Sequence, residues 1–392
     1  MQKFGKKLVI KIYHILLPIM PVNNNIVVFD SSNGSNYTGS PRAVYERMME
    51  LGLDKKYRCV WFLYKEKIEK DFPGNAKVVR YGWFKYFYYM SVAGTWIFDA
   101  RQPAFIKKKK NQKYIQIWHG TPLKKLALDM ESVNMSGSTD IEIYKKKFVE
   151  NSSTWDCLVA QNEFSANIFR RCFAFDKEML KIGYPRNDVL FKKNNPQDIE
   201  AIKRELNIPL DKKVLLYAPT WRDDEYISKG IYLFKPKLDF KMLMDELKDE
   251  YVIVVKYHYL VGDKIDWTGF EGFVYPVNAT GEISRLYLIA DAMITDYSSV
   301  MFDYSILNRP MYFYAYDLEK YKNELRGFYF DYLKEIPGPL SMETKDLIKS
   351  IKKYGVEIGS EFKEKMVRWH EKYHEFEDGT ASDKIIEQIE NR

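Results

Sequence analysis

Short apolar runs, each followed by an amphipathic stretch, recur along the whole chain and restrict what it can fold into. The first half offers "NIVVFDS", "YRCVWFLY", "TWIFDA", "YIQIWH", "DCLVAQN" and "MLKIGYP". The second offers "VLLYAPTWR", "YVIVVKYH", "GFVYPV", "AMITDYSS" and "PMYFYA". Helical patterns lie between them, one opened by Ser40-Pro41 and one in "WFKYFYYMSVA". Strands alternating with helices predict βαβ units and mostly parallel sheets. The polar segment "NNPQDIEAIKRELNIPLDKK" reads as a helical connection between two α/β halves. We therefore expect a basic segment over 1–20, a first domain over 21–195, a second over 196–345, and charged helices over 346–392. From about Thr344 these helices are placed to pack back across the first half. No internal repeat and no low-complexity tract interrupts the pattern.

At 392 residues, with 46% hydrophobic and 29% charged side chains, the chain has material for two real cores and none of the signature of disorder. Its 30 Tyr, 24 Phe and 8 Trp suit work at an interface or on a sugar-like ligand, and equally suit a Tyr-rich genome. The net charge of +7 is unevenly spread. Lys3, Lys6, Lys7 and Lys11 crowd the N-terminus, and a second block runs from Arg101 to Lys113 through Lys107-Lys108-Lys109-Lys110. Such patches favour anionic partners or mark solvated loops. The charge is too small for a nucleic-acid binder, and no motif of that class appears. Cys59, Cys157 and Cys172 form neither a metal nor a disulfide pattern, which points to a reducing compartment. The stretch "MQKFGKKLVIKIYHILLPIMP" is too short and interrupted to span a membrane and makes a poor signal peptide. As a helix it gathers Phe4, Leu8, Ile12, Ile15, Leu16 and Ile19 on one side, with the lysines opposite or flanking. It fits a helix lying on an anionic membrane and also one packed on its own domain.

In open α/β sheets, ligands bind beyond the carboxyl ends of the strands, so chemistry is sought there first. "YIQIWHGTPLKKLA" ends a strand at His119 and Gly120. Thr121 and Pro122 then read as the N-cap and first position of a helix, with Gly120 letting a ligand approach the backbone. "AMITDYSSVMFDY" supplies Asp296, then Ser298 and Ser299 at a helix start. "VVKYHYL" delivers Lys256 and His258, "YAPTWRDD" delivers Thr220 and Arg222, and "GYPRND" delivers Arg186. Each alone has a structural explanation, as a cap, a core histidine or a surface ion pair. Together they are an inventory for handling phosphate.

The motifs "WHGTPLK", "GYPRND", "APTWRD", "VKYH", "TDYSSVMFDY", "RGFYFDY" with "PGPL", and "DGTAS" occur in an order that resembles the CDP-glycerol glycerophosphotransferases of teichoic acid and capsule synthesis. The resemblance runs from about Asn25 to the C-terminus. It implies two facing Rossmann-like domains in the GT-B arrangement, with the donor bound mainly by the C-terminal domain and the acceptor against the N-terminal one. The implied reaction moves an alditol phosphate from CDP-glycerol or CDP-ribitol to a hydroxyl of a lipid-linked glycan or polymer and releases CMP. The implied place is the cytoplasmic face of the membrane, held peripherally against anionic lipid. It puts the general base on His119 and charge stabilisation on His258, Arg186, Arg222, Ser298 and Ser299. Gly120, Thr121 and Thr220 fall in the donor site, and Asp303 falls near the donor's ribose or alditol hydroxyls. The chain departs from the family where a glycine is expected soon after Leu-Lys, since "LKKLALDM" has Ala127. With no extra catalytic domain read ahead of Asn25, we expect one activity rather than two. No resident cofactor or metal is implied; a divalent cation such as Mg2+ is compatible with the pyrophosphate without being required.

Two other readings use the same residues. A GT-B glycosyltransferase would share the fold and basic ligands but release a diphosphate as a rule. A membrane-surface scaffold would bind anionic polymer without turnover. "HEKYH", His370 to His374, matches H-E-x-x-H, but its charge-dense surroundings near the C-terminus read as a surface helix. "GSNYTGS" has Walker-like glycines without the lysine, which argues against nucleoside triphosphate cleavage.

Overall fold

The computed structural model describes residues 3–68, 71–132, 140–220, 226–228, 231–232, 237–256, 265–277, 281–318 and 327–392. The chain forms two compact units. Unit 1 comprises 1–119, 142–188 and 376–392, and unit 2 comprises 120–141 and 189–375. The chain thus leaves unit 1 at the His119–Gly120 peptide, the middle of the motif that opens "WHGTPLK".

Unit 1 is built on β1 (Asn23–Asp30), β2 (Arg58–Leu63), β3 (Lys77–Arg80), β4 (Ala93–Phe98), β5 (Lys113–Gln116), β6 (Cys157–Ala160) and β7 (Glu178–Lys181). These strands lie in the order β3-β2-β1-β4-β5-β6-β7, all parallel. Consecutive residues such as Val27, Val28 and Phe29 are fully buried, so both faces of the sheet are covered. On one face Phe29 stacks on Trp61 at 5.4 Å, within a core that includes Tyr45 and Met48. The C-terminal helix Ala381–Glu390 inserts Ile385, Ile386 and Ile389 into that same core. Its start is fixed by the buried Asp188 carboxylate, which accepts from the amides of Ala381 (3.0 Å) and Ser382 (2.8 Å). Of the C-terminal helices expected to return to the first half, Ala381–Glu390 does so as an apolar insertion sealed by a borrowed cap, whereas Thr344–Tyr354, with Leu347, Ile348 and Ile351 in the other core, and Ser360–Tyr373 belong to unit 2.

Unit 2 contains β8 (Lys213–Ala218), the short antiparallel pair β9 (Tyr226–Ser228) and β10 (Ile231–Tyr232), β11 (Tyr251–Val255), β12 (Val274–Pro276), β13 (Ala292–Thr295), β14 (Met311–Tyr314) and β15 (Leu340–Ser341). Its main sheet runs β12-β11-β8-β13-β14-β15, again all parallel. Counted within the unit, this is the Rossmann order 3-2-1-4-5-6. The first six strands of unit 1 follow it too. The strand direction of progress reverses between β1 and β4 in unit 1, and between β8 and β13 in unit 2. Those two places are where ligands are expected.

At the N-terminus the helix Lys3–Leu16 turns Tyr13 inward, against Phe87 at 5.3 Å, with its hydroxyl donating to Lys107 O at 3.0 Å. Leu8, Ile12, Ile15 and Leu16 remain exposed. No helix among the described residues is long and apolar enough to cross a membrane.

Candidate functional site

The site in unit 1 grows from the carboxyl ends of β1, β4 and β5. β1 ends on Asp30, β4 is followed by Asp99, and β5 runs on through Ile117 and Trp118 to His119. Both carboxyls are buried. Asp99 Oδ2 accepts from Ser31 Oγ and its Oδ1 from Ser32 N, each at 2.8 Å. Asp30 accepts from Gly34 N at 2.6 Å and from Gln102 Nε2 at 3.0 Å. Burial pushes the Asp30 carboxyl up to about 7; the Gln102 hydrogen bond opposes this, and the nearby Asp99 charge adds to it.

His119 Nδ1 lies 2.9 Å from the backbone carbonyl of Asp99. A carbonyl can only accept, so Nδ1 carries the proton of the neutral ring and the Nε2 lone pair is left available. The imidazole stacks on Trp118 at 4.3 Å and 26°. Trp118 is held among Phe148, Phe169 and Phe173. Its φ of 59° is a left-handed conformation for a bulky residue, with strain on the order of 1–3 kcal/mol stored beside the histidine. His119 itself is exposed to solvent on one side. Crowding by protein atoms lowers its pKa below the ordinary 6.5, against the pull of the Asp99 carbonyl and carboxylate, and the charges of Arg186 and Arg101 push the same way. The ring is therefore a neutral base at physiological pH.

Arg186 is the middle residue of the 3-10 turn Pro185–Asn187, and its Nη1 donates to His119 O at 2.9 Å. Its guanidinium lies over the Tyr184 ring at 5.1 Å. Glu377 secures the motif by accepting from Tyr184 N (3.1 Å) and Asn187 Nδ2 (2.8 Å). Unit 1 thus brings His119 and Arg186 together, with Asp99 and Arg101 beside them.

Unit 2 has a different set at its own reversal. Thr220 N, just past β8, donates to Asp296 Oδ1 at 2.8 Å just past β13. Tyr332 donates to Asp296 O at 3.0 Å, so the reversal point is locked from both sides. Ser298 and Ser299 follow, half-buried, with Ser299 at the N-cap of the short helix Val300–Tyr304 and no cap bond from its hydroxyl to that helix. Asp303 is buried within the helix. Lys256, at the end of β11, donates from Nζ to Gly281 O at 2.8 Å, and burial lowers its pKa to about 8. Arg222 and His258 lie outside the described residues.

Thr121 does not cap a helix. After Gly120, at φ 154°, the chain is extended: Lys124 bridges Phe328, Lys125 N donates to Gly327 O at 3.0 Å, and Tyr329 N donates to Leu123 O at 3.0 Å. Backbone partners two hundred residues away satisfy the groups that a helix would have satisfied internally. Further on, Ala127 sits at φ 44°, the left-handed region glycine prefers, where the expected glycine is missing.

The helix Ser360–Tyr373 presents His370, with His374 at its C-cap. His374 Nε2 lies 2.8 Å from Phe302 O and 3.0 Å from Ser305 Oγ, an interior contact rather than an exposed face. Among the described residues, no three His, Cys, Asp or Glu side chains are grouped to hold a metal. In the Arg101–Lys113 block, Lys108 pairs with Asp156 at 3.0 Å and Lys109 donates to Met20 O. Sequence reasoning missed Asp30 and Asp99, and named Arg101 only as the start of a basic block. The signal was present, since each acid directly follows an apolar run that forms one of the two strands flanking the reversal.

The signature of the "CDP-Glycerol:Poly(glycerophosphate) glycerophosphotransferase" family matches residues 12–391. A teichoic acid glycerol-phosphate transferase of Staphylococcus aureus is 43% identical over 95% of each chain. A teichoic acid poly(glycerol phosphate) polymerase of Bacillus subtilis is also 43% identical, over 99% of this chain and 52% of its own length. This chain likewise spans about half the length of a Staphylococcus epidermidis polymerase at 44% identity. The solved wall teichoic acid polymerase TagF superposes with a TM-score of 0.91 at 41% identity, covering 98% of this chain and 93% of that one. With its two parallel α/β sheets the fold is GT-B-like. The chain belongs to the CDP-glycerol:poly(glycerophosphate) glycerophosphotransferase family.

Proposed function

We propose that the protein transfers an alditol phosphate from a CDP-activated donor to a hydroxyl of a teichoic-acid-type acceptor and releases CMP. The observation that carries this reading is the imidazole of His119, fixed by Asp99 O with its Nε2 lone pair available at the end of β5. The acceptor hydroxyl gives its proton to His119 Nε2 as its oxygen attacks the β-phosphorus. The bond from that phosphorus to the CMP oxygen breaks, and the leaving phosphate keeps the electron pair. General-base assistance of this kind contributes roughly 10²–10⁴-fold. Charge building on the pyrophosphate meets Arg186, Arg222, His258 and the Ser298 and Ser299 hydroxyls, with Thr220 and Asp303 completing the donor site. Relatives named for glycerol phosphate at 43% identity support a glycerol rather than a ribitol donor.

The acceptor is lipid-linked in this proposal, and the enzyme rests on the cytoplasmic face of the membrane. The exposed Leu8, Ile12, Ile15 and Leu16, with Phe84 and Tyr88 of the neighbouring helix Phe84–Val92, support an interfacial contact flanked by Lys7 and Lys11.

CMP release is measured from CDP-glycerol and, separately, CDP-ribitol, with a lipid-linked acceptor and membranes. Acceptor-dependent CMP from CDP-glycerol is expected. Silence with both donors, together with diphosphate release from a nucleotide-sugar, would replace the proposal by the glycosyltransferase reading.

A further inference from the structure

Arg101 is the one member of the basic block 101–113 that stands past the carboxyl end of a strand beside His119, three residues beyond the end of β4. Its guanidinium lies 4.3 Å over the ring of Phe148 and 5.5 Å from that of Tyr144. Among the described residues, no carboxylate and no hydrogen-bond acceptor meets it. It is half-buried, and burial lowers its pKa while the Tyr144 and Tyr114 hydroxyls oppose that shift. A partly desolvated cation without an acid is costly to maintain for stability alone.

The backbone around it is pinned on both sides. Ala100 O accepts from Gln116 Nε2 at 3.3 Å, and Gln102 O accepts from Asn151 Nδ2 at 2.7 Å. The Gln102 side chain bridges Tyr86 OH and Asp30, each at 3.0 Å. Both rings lie within cation–π range of the guanidinium and hold it without using its N–H donors. Arg101 lies two residues past Asp99, whose carbonyl holds His119 Nδ1 at 2.9 Å, and its charge acts on the imidazole. A planar fork suits a tetrahedral phosphate oxygen pair better than a point charge does.

We propose that Arg101 binds the terminal phosphodiester of the acceptor chain, placing the hydroxyl that follows it at His119 Nε2. The proposal rests on the transferase reading given above. It makes Arg101 a specificity residue: an acceptor ending in glycerol phosphate is preferred over a neutral hydroxyl, because only the former presents an anion there.

The test is equilibrium binding of a short soluble glycerol-phosphate oligomer, in the absence of CDP-glycerol, to the full chain and to Arg101→Gln. A roughly 10- to 100-fold loss of affinity is expected, the range for losing a charge-assisted hydrogen-bonded pair. CDP-glycerol and a neutral glycerol-ended analogue should bind both proteins equally. Arg101→Lys, which keeps the charge and loses the fork, should fall between, and it serves as the readout if the glutamine variant does not fold. Oligomer binding should also raise the pKa of His119 in the parent protein, by neutralising Arg101, and leave it unmoved in Arg101→Gln. Equal oligomer affinity in parent and variants would overturn the proposal. So would equal losses for oligomer and CDP-glycerol, which would mean a structural or donor-side role. If the oligomer depends on Arg101 as described but the parent protein releases no CMP, the transferase reading fails and the anion site stands.

Discussion

The two units share a strand order yet place opposite chemistries at its reversal. In unit 1 the ends of β1, β4 and β5 bring two buried carboxyls to an imidazole that is kept neutral. In unit 2 the ends of β8 and β13 bring hydroxyls, with Asp296 spent on holding the Thr220 amide and Lys256 at the end of neighbouring β11. The topology fixes where a ligand can meet the sheet; the few residues past each strand decide whether that place moves a proton or holds an anion. On the proposed function the base comes from unit 1, while hydroxyls of unit 2 hold donor phosphate together with arginines that include Arg186 of unit 1.

The sharpest way to break this division is His119→Ala. It should lower acceptor-dependent CMP release by roughly 10²–10⁴-fold while leaving CDP-glycerol affinity and the folded far-UV spectrum unchanged. A loss of donor affinity of similar size would assign the histidine to binding and erase the contrast between the units. Next in size, Ser298→Ala with Ser299→Ala should raise the KM for CDP-glycerol about ten-fold, the scale of one hydrogen bond to a charged group, with the acceptor KM unaffected. A change confined to the acceptor would reverse the roles proposed for the two units.

The strand content of both sheets was legible because parallel strands buried on both faces read as unbroken apolar runs, as in Val27–Phe29 and Val252–Val255. His119 was legible because a histidine and a glycine interrupt such a run. Strand order was not, since it depends on pairings such as Val28 with Trp96 that no local pattern specifies. Thr121 was misread for the same reason: Thr-Pro has the local chemistry of a helix start, but the strand-like partner at Phe328 lies far off in sequence. Asp30 and Asp99 look like ordinary acids at loop starts until the fold buries them side by side.

The smallest effect arises in the extended segment that follows Thr121. Ala127→Gly relieves a left-handed alanine in unit 2, and after the added freedom of the unfolded chain is subtracted it should stabilise the protein by about 0.5 kcal/mol. Chemical denaturation with unchanged m-value checks this. The strained Trp118 of unit 1 should behave oppositely: Trp118→Gly relieves the same backbone strain but removes the ring that orients His119, so activity falls.

The central claim is that a neutral His119 takes the acceptor's proton, and the pH dependence of kcat/KM for acceptor-dependent CMP release tests it most directly. The active form is the unprotonated ring, and the pKa of that ring lies below 6.5, so activity should be full above that pKa and fall as pH drops through it. In His119→Gln that acid limb should disappear together with most of the rate. A limb that persists unchanged in His119→Gln, at a rate close to the parent's, would contradict the account.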